Sequence, residues 1–248
     1  MIHKTKGIVL RTVKYGETSL VVTIYTELFG VQTYMVNGVR TSKPSGNKAA
    51  MFQPASILEM EVYHQEQKTI QRIKEYRWAF LYQQILSDVV KNSIALYMVE
   101  LLNKTLKQPE PNSNLFYFCE DAFIQLDAAE KNIAANFALF FSLHLADFFG
   151  FRMNSSNIKD IAVENLYFDL REGDFLSGQP AHPDFIYGEP ASVIAELLKI
   201  RLPAELDQLK LNQQTRRALL LKLQDYYNLH MHDFGQMKTL QVLHEVLS

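Results

Sequence analysis

The sequence predicts an α+β protein: a small antiparallel β-barrel over residues 1–78, then a mainly α-helical region over residues 79–248 with an irregular insert at about 151–190. Three observations lead there. Short segments that alternate apolar and polar residues fill the first third of the chain. The apolar period changes from two to about 3.6 near Trp78. The chain has 248 residues, 48% of them hydrophobic with 16 Phe and 12 Tyr, which is comfortable for two cores and leaves disorder unlikely over most of its length.

Five strands are expected in the first region. "KTKGIVLRTVKY" (4–15) is the first, and "YGETS" turns it into "LVVTIYT" (20–26). "ELFG" then turns into "VQTYMV" (31–36). In "ILEMEVYH" (57–64), Leu58, Met60 and Val62 face one way and Glu59, Glu61 and Tyr63 the other. "TIQRIKEY" (69–76) alternates again. Gly16 supplies a positive φ to its turn, with Thr18 or Ser19 giving hydrogen bonds. A five-strand count fits an OB-fold, and periodicity alone does not separate that from an SH3-like barrel.

Helical spacing follows. It predicts helices over 80–107, stopped by Pro109 and Pro111, over 115–129, and over 133–149, closed by Gly150. The insert carries "REGDFLSGQPAHPDFIYGEP", rich in Gly and Pro, with one short hairpin of 166–170 against 175–176. Helices resume over 191–200, 203–209, 213–229 with Asn212 as N-cap, and 240–247.

Composition narrows the function classes. No apolar run approaches the ~18–20 residues of a membrane span, and the start "MIHKTKGIVL" has no long apolar stretch of a signal peptide, so a cytoplasmic protein is expected. The one cysteine, Cys119, can form neither an intrachain disulfide nor a thiolate zinc site and reads as a small core residue. No phosphate-binding glycine loop, dinucleotide fingerprint or nucleophile elbow occurs. His230 and His232 stand two apart, on different faces of a helix, which suits a helix end or a core role better than a shared metal. No carboxylate cluster in the barrel region suggests a two-metal nuclease. No catalytic residue, cofactor or metal ligand is therefore assigned.

Charge is more informative. Residues 1–80 hold 11 Lys and Arg against 6 Asp and Glu, and the rest of the chain holds 14 against 21. A basic front third hints at nucleic acid. Its cations include Lys4, Lys6, Arg11 and Lys14 near the first strand, Arg40, Lys43 and Lys48 in "VNGVRTSKPSGNKAAMFQP" (36–54), and Arg72, Lys74 and Arg77 near the fifth. The 36–54 stretch has no acidic residue at all, as a loop lying against phosphates would require. Tyr15, Tyr25, Tyr34, Phe52 and Tyr76 are interleaved with these cations. Cations for the backbone and rings for the bases describe a groove that holds single strands without sequence preference. A solvated strand face over core tyrosines is the plainer alternative. Arg216 and Arg217, in "NQQTRRALLLKLQDYYNLH", read as a solvated helix face or as acceptors of an acidic peptide.

Several segments also resemble the bacterial RecO family of recombination and repair proteins. "KGIVLRTVKYGETSLVVTIYTELFG" (6–30) resembles the family's opening strand, Y-G-E turn and glycine turn. "VNGVR" followed by "FQP" fits its basic loop. "LYMVELLNKTL", "LADFFGF", "RRALLLKLQDYYNLH" and "MKTLQVL" fit its helical part. The resemblance spans nearly the whole chain and is most specific in its first segment. It implies an N-terminal OB-fold, a helical C-terminal domain and no catalytic centre. It implies binding of single- and double-stranded DNA, annealing of complementary strands, and partnership with RecR and the acidic tail of the single-strand-binding protein SSB in loading RecA at gaps. It implies a nucleoid-associated location. Many family members hold a four-cysteine zinc site after the "GF" point, but residues 151–190 here contain no cysteine, so zinc is not carried over. On this reading Arg11, Lys14, Arg40, Lys43 and Lys48 are expected phosphate contacts, and Tyr15 and Tyr34 expected stacking rings. Arg216 and Arg217 are the expected candidates for the SSB tail. A protein adaptor whose DNA affinity is incidental, or an RNA-binding barrel, would be the alternatives.

Overall fold

The structure is a computed structural model of the chain and describes residues 1–39, 48–107, 110–155, 158 and 161–247. The chain divides into two compact units, Met1–Ser87 with Leu102–Asp127, and Asp88–Leu101 with Ala128–Ser248.

The first unit is built on a closed five-stranded barrel: β1 (Ile2–Tyr15), β2 (Ser19–Thr26), β3 (Gly30–Val36), β4 (Ile57–Tyr63) and β5 (Ile70–Trp78). The strands close in the order β1-β2-β3-β5-β4. All pairings are antiparallel except β3 with β5, which is parallel. This order and closure are those of an OB-fold barrel. β1 serves both sides of the closure. Its first half pairs with β4 from Ile2 to Ile8, and its second half continues alone with β2 to Tyr15. A bulge between Val9 and Arg11 marks the change of partner.

Alternation fills the barrel. Val9, Leu20, Val22, Ile24, Tyr34, Val36, Leu58, Met60 and Val62 point inward and are joined by Val39 and Phe52. Gly7 is required where β1 crosses this core. A Cβ there would stand 2.5 Å from Ile24 Cγ2 and 2.6 Å from Met60 Cε. Helix α2 (Ser113–Ala128) covers the barrel's outer surface at Tyr25. The Tyr25 ring lies 5.6 Å from that of Phe116, and its hydroxyl donates to Asn112 O at 3.0 Å. Lys6 Nζ reaches the buried Glu120 carboxylate at 2.9 Å. Cys119 lies fully buried beside these residues, and burial pushes its thiol pKa well up.

The predicted helix over 80–107 is shorter. α1 spans Val89–Thr105. The reason lies in two carboxylates. Asp127 accepts from the amides of Gln83, Gln84 and Ile85, each at 2.8 Å, which holds that segment out of a helix. Asp88 then caps the helix, accepting from Lys91 N at 2.9 Å.

In the second unit, α3 (Lys131–Asp147) packs against α5 (Gln213–His230), and α4 (Glu189–Leu197) and α6 (Thr239–Val246) complete the helices. The expected helix over 203–209 is a 3-10 turn, Pro203–Gln208. Asn212 caps α5 as expected, accepting from Thr215 N at 2.8 Å. His230 ends α5, stacked on Phe151 with centroids 5.3 Å apart, and His232 is exposed.

The insert carries a three-stranded sheet in the order β7-β6-β8: β6 (Tyr167–Asp169), β7 (Asp174–Leu176) and β8 (Phe185–Tyr187). The first two are the expected hairpin. β8 has too few residues to show a period. One face of the sheet buries Phe168, Phe175 and Ile186. Buried Asp169 ties the turns together. It accepts from Arg171 N at 2.8 Å and Glu172 N at 3.3 Å, and pairs with His182 Nε2 at 3.1 Å. Among the described residues, no three His, Cys, Asp or Glu side chains gather into a metal-binding group, and no helix is long and apolar enough to cross a membrane.

Candidate nucleic-acid interface

Strand register defines the open face of the barrel. Residues paired across strands share a face, so β1, β2, β3 and β5 lay out two full rows outside the core. Arg11 pairs with Thr23, Thr23 with Thr33, and Thr33 with Ile70. Val13 pairs with Val21, Val21 with Met35, and Met35 with Arg72. Tyr15, paired with Ser19, ends the face. The floor is thus short aliphatic and threonine side chains, with Arg11 at one corner and Arg72 at the opposite one. Val13 is 45% exposed, Ile70 44% and Tyr15 58%. Beyond Arg72 the surface continues into a hollow of about 430 Å³ lined by Tyr63, Gln65, Lys68, Ile70, Gln71 and Arg72.

The cationic segment is anchored beside this face at both of its described ends. Entering it, Val39 N donates to Thr18 O at 3.0 Å in the β1–β2 turn, and Ser19 Oγ donates to Asn37 Oδ1 at 3.0 Å. Leaving it, Lys48–Phe52 forms a 3-10 turn whose last carbonyl accepts from Thr12 Oγ1 at 2.5 Å. Ala55 N and Ser56 O then bond the backbone of Val9 at 2.8 and 2.9 Å. One end is therefore held at the β1–β2 turn and the other along β1 between Val9 and Thr12. Arg40 and Lys43 lie outside the described residues.

Ion pairing sorts the cations that composition left equivalent. Lys4 and Lys74 pair with Glu61 at 3.6 and 2.8 Å, Lys6 with Glu120, and Arg77 Nε donates to Glu59 at 2.6 Å. Glu61 lies on β4, opposite Lys4, and its two lysines hold its carboxyl below the usual carboxylate range. These cations are neutralised. Arg11, Lys14, Lys48 and Arg72 are exposed and form no ion pair among the described residues.

The rings sort as sharply. Tyr15 is open to solvent at the end of β1. Tyr34 is not available to stack: it is 0% exposed inside the barrel, opposite Gln71, and burial raises its pKa strongly. The expectation for Tyr34 is therefore corrected; alternation places it on the inner side with Leu20-side neighbours Val22 and Val36. Tyr25 and Phe52 are also buried, and Tyr76 lies against Phe52 with ring centroids 4.8 Å apart. In the second unit Arg216 is half-buried. Its Nε donates to Asn136 Oδ1 at 3.1 Å and its Nη2 to Leu211 O at 2.9 Å, joining α3 to the start of α5. Arg217 is exposed. Arg72 belongs with the site, and only the parallel β3–β5 pairing, which local spacing does not encode, brings it beside Met35.

Comparison with known proteins agrees with this architecture. The family model "Recombination protein O N terminal" matches residues 1–82, and "Recombination protein O C terminal" matches residues 86–238. The chain is 35% identical over 248 residues to a DNA repair protein RecO of Flavobacterium psychrophilum, covering 99% of each chain. It is 32% identical to that of Phocaeicola vulgatus over 100% of each, and 30% identical to that of Azobacteroides pseudotrichonymphae over 99% of each. A barrel of OB type with an unneutralised basic edge, a helical remainder and full-length similarity to these repair proteins together make this chain a member of the RecO family.

Proposed function

We propose that this chain is a non-catalytic DNA-binding mediator of recombinational repair. The observation that carries the reading is the segregation of charge on the barrel: Arg11, Lys14, Lys48 and Arg72 stay unpaired, with Arg11 and Arg72 at the corners of an open, mildly apolar face that ends at Tyr15 and Lys14 on the neighbouring row of Leu20, while Lys4, Lys74 and Arg77 are matched by Glu61 and Glu59. Family membership supports the repair role. On this reading a single strand lies across β1, β2 and β3, its phosphates on Arg11, Lys14, Lys48 and Arg72, together with Arg40 and Lys43 of the loop, and one base on Tyr15. Duplex DNA uses the same cations through its backbone. Two strands held loosely by their phosphates keep their base edges free, which suits annealing. The partners in this role are RecR and the acidic tail of SSB, with Arg217 among the cations that receive the tail, and the outcome is loading of RecA.

The test is fluorescence anisotropy of a labelled single-stranded oligonucleotide over a salt series. In the variant Arg11→Ala/Lys14→Ala/Lys48→Ala the slope of log K against log salt falls by about two units, as loss of three phosphate contacts requires. An unchanged slope with unchanged affinity sinks the proposal and leaves a protein adaptor as the better reading. Arg40→Ala/Lys43→Ala, measured in the same way, reports on the loop separately.

A further inference from the structure

The second unit carries an aromatic surface that the DNA reading does not use. The sheet of β6, β7 and β8 buries one face and opens the other. Tyr167 pairs with Leu176 on one side and Tyr187 on the other, so these three form one row on the open face. Phe185 stands on the same face, paired with Asp169. The rings form a compact trio: Tyr167 lies 5.5 Å from Phe185 and 5.9 Å from Tyr187, and Phe185 lies 6.4 Å from Tyr187. Tyr187 is 61% exposed and Leu176 38%. The core does not include Tyr187; the buried packing of this sheet comes from Phe168, Phe175 and Ile186 on its other face.

The surface is held rigid. Asp169 binds two amides of the β6–β7 turn and His182, and Arg171 Nε donates to Asp184 at 2.7 Å. A prearranged aromatic patch loses little freedom when a partner covers it, and tyrosine is enriched among residues that dominate protein interfaces. Its charge selects the partner. Residues 161–190 hold six acidic residues, Glu164, Asp169, Glu172, Asp174, Asp184 and Glu189, against a single cation, Arg171. Arg171 is already matched by Asp184. Glu164 precedes β6 and Glu189 follows β8, both at the Tyr167–Tyr187 end of the sheet, and neither forms an ion pair among the described residues. Such surroundings repel phosphate and attract cations.

We propose that the open face of this sheet is a protein-docking surface for a cationic segment of a partner protein, which seats an apolar side chain on Tyr167 and Tyr187 and pairs its lysines or arginines with Glu164 and Glu189. The surface is independent of the DNA-binding reading.

The experiment titrates the full chain into a fluorescein-labelled synthetic peptide of lysine alternating with leucine, and into its counterpart with glutamate for lysine. The lysine peptide binds, the glutamate peptide does not, and Tyr187→Ser weakens binding about tenfold, as expected for a residue that anchors an interface. Because Tyr187 lies outside the core, the variant keeps the thermal transition of the parent. Glu164→Lys/Glu189→Lys, which leaves the rings in place, weakens binding by a similar factor and removes most of its salt dependence. Equal binding of the lysine peptide to parent and both variants overturns the proposal. So does a loss of oligonucleotide affinity in Tyr187→Ser with peptide binding intact, which makes the sheet a nucleic-acid platform. Concentration-dependent self-association that Tyr187→Ser abolishes, again with peptide binding intact, overturns it in favour of a second copy of this chain.

Discussion

Gly7 and His144 show how single positions are constrained by what surrounds them. At Gly7 the neighbour that matters is Ile24, whose branched side chain is stiff and fully buried. Met60 can swing its methyl aside; Ile24 cannot without disturbing the barrel core. Gly7→Ala is therefore expected to destabilise the protein by about 1–3 kcal/mol, the usual cost of overpacking, seen as a lower midpoint in thermal or denaturant unfolding. His144, on α3, is half-buried, and burial depresses its pKa below the ordinary 6.5, ahead of the opposing pull of Asp147. Its folded pKa is lower than its unfolded one, so the unfolded chain takes up the proton first as pH falls. The stability it contributes is complete above about pH 6.5 and is lost as pH drops through its folded value. Denaturant midpoints measured between pH 7.5 and 5 should fall with pH, and His144→Gln should flatten that decline. A slope unaffected by the substitution would assign it to other groups.

Elements here are bounded by carboxylates as much as by propensity. Asp127 and Asp88 together move the start of α1 nine residues beyond Phe80, where apolar spacing alone begins the helix. α6 is held in the same way. Glu100 accepts from Lys238 N at 2.9 Å, Thr239 N at 2.8 Å and Thr239 Oγ1 at 2.6 Å, so one side chain on α1 satisfies the first amides of α6. Glu100→Ala leaves those amides without a partner. It is expected to cost about 1–2 kcal/mol, the range for loss of a helix cap, and to speed hydrogen exchange across Thr239–Val246. Glu100→Gln, which keeps one acceptor oxygen, should fall between the two. No such signal is visible in sequence, because Glu100 and Thr239 are distant along the chain and only the fold brings them together.

At the scale of the molecule the question is whether DNA would respond to net charge or to particular cations. The basic front third and acidic remainder leave the chain near neutrality, at −2. If only the overall field mattered, removing any three cations of the barrel would weaken binding alike. The pairing says otherwise. The triple substitution Lys4→Gln/Lys74→Gln/Arg77→Gln changes the formal charge by the same amount as Arg11→Ala/Lys14→Ala/Lys48→Ala, but removes cations already matched by Glu59 and Glu61. It is expected to leave the slope of log K against log salt within about half a unit of the parent. Equal losses in the two triples would show that the barrel acts through its field alone.

The sequence by itself determined the alternation that makes five strands, the change of period that begins the helical region, the turn at Gly16, the cap at Asn212 and the excess of cations in the first third. These are local properties, carried by neighbours within a few residues. It also determined that Arg11, Lys14 and Tyr15 share one strand, and that is the part of the candidate site that was legible. Only the tertiary structure decided which side of each strand faces inward, and so turned Tyr34 into core while leaving Tyr15 open. Only the parallel pairing of β3 with β5 set Arg72 across from Met35, and only the pairing of β4 with both β1 and β5 matched Lys4 and Lys74 to one carboxylate. The physical reason is the same in each case: burial and ion pairing depend on which residues meet across long separations, and periodicity along a single strand contains no record of its partners.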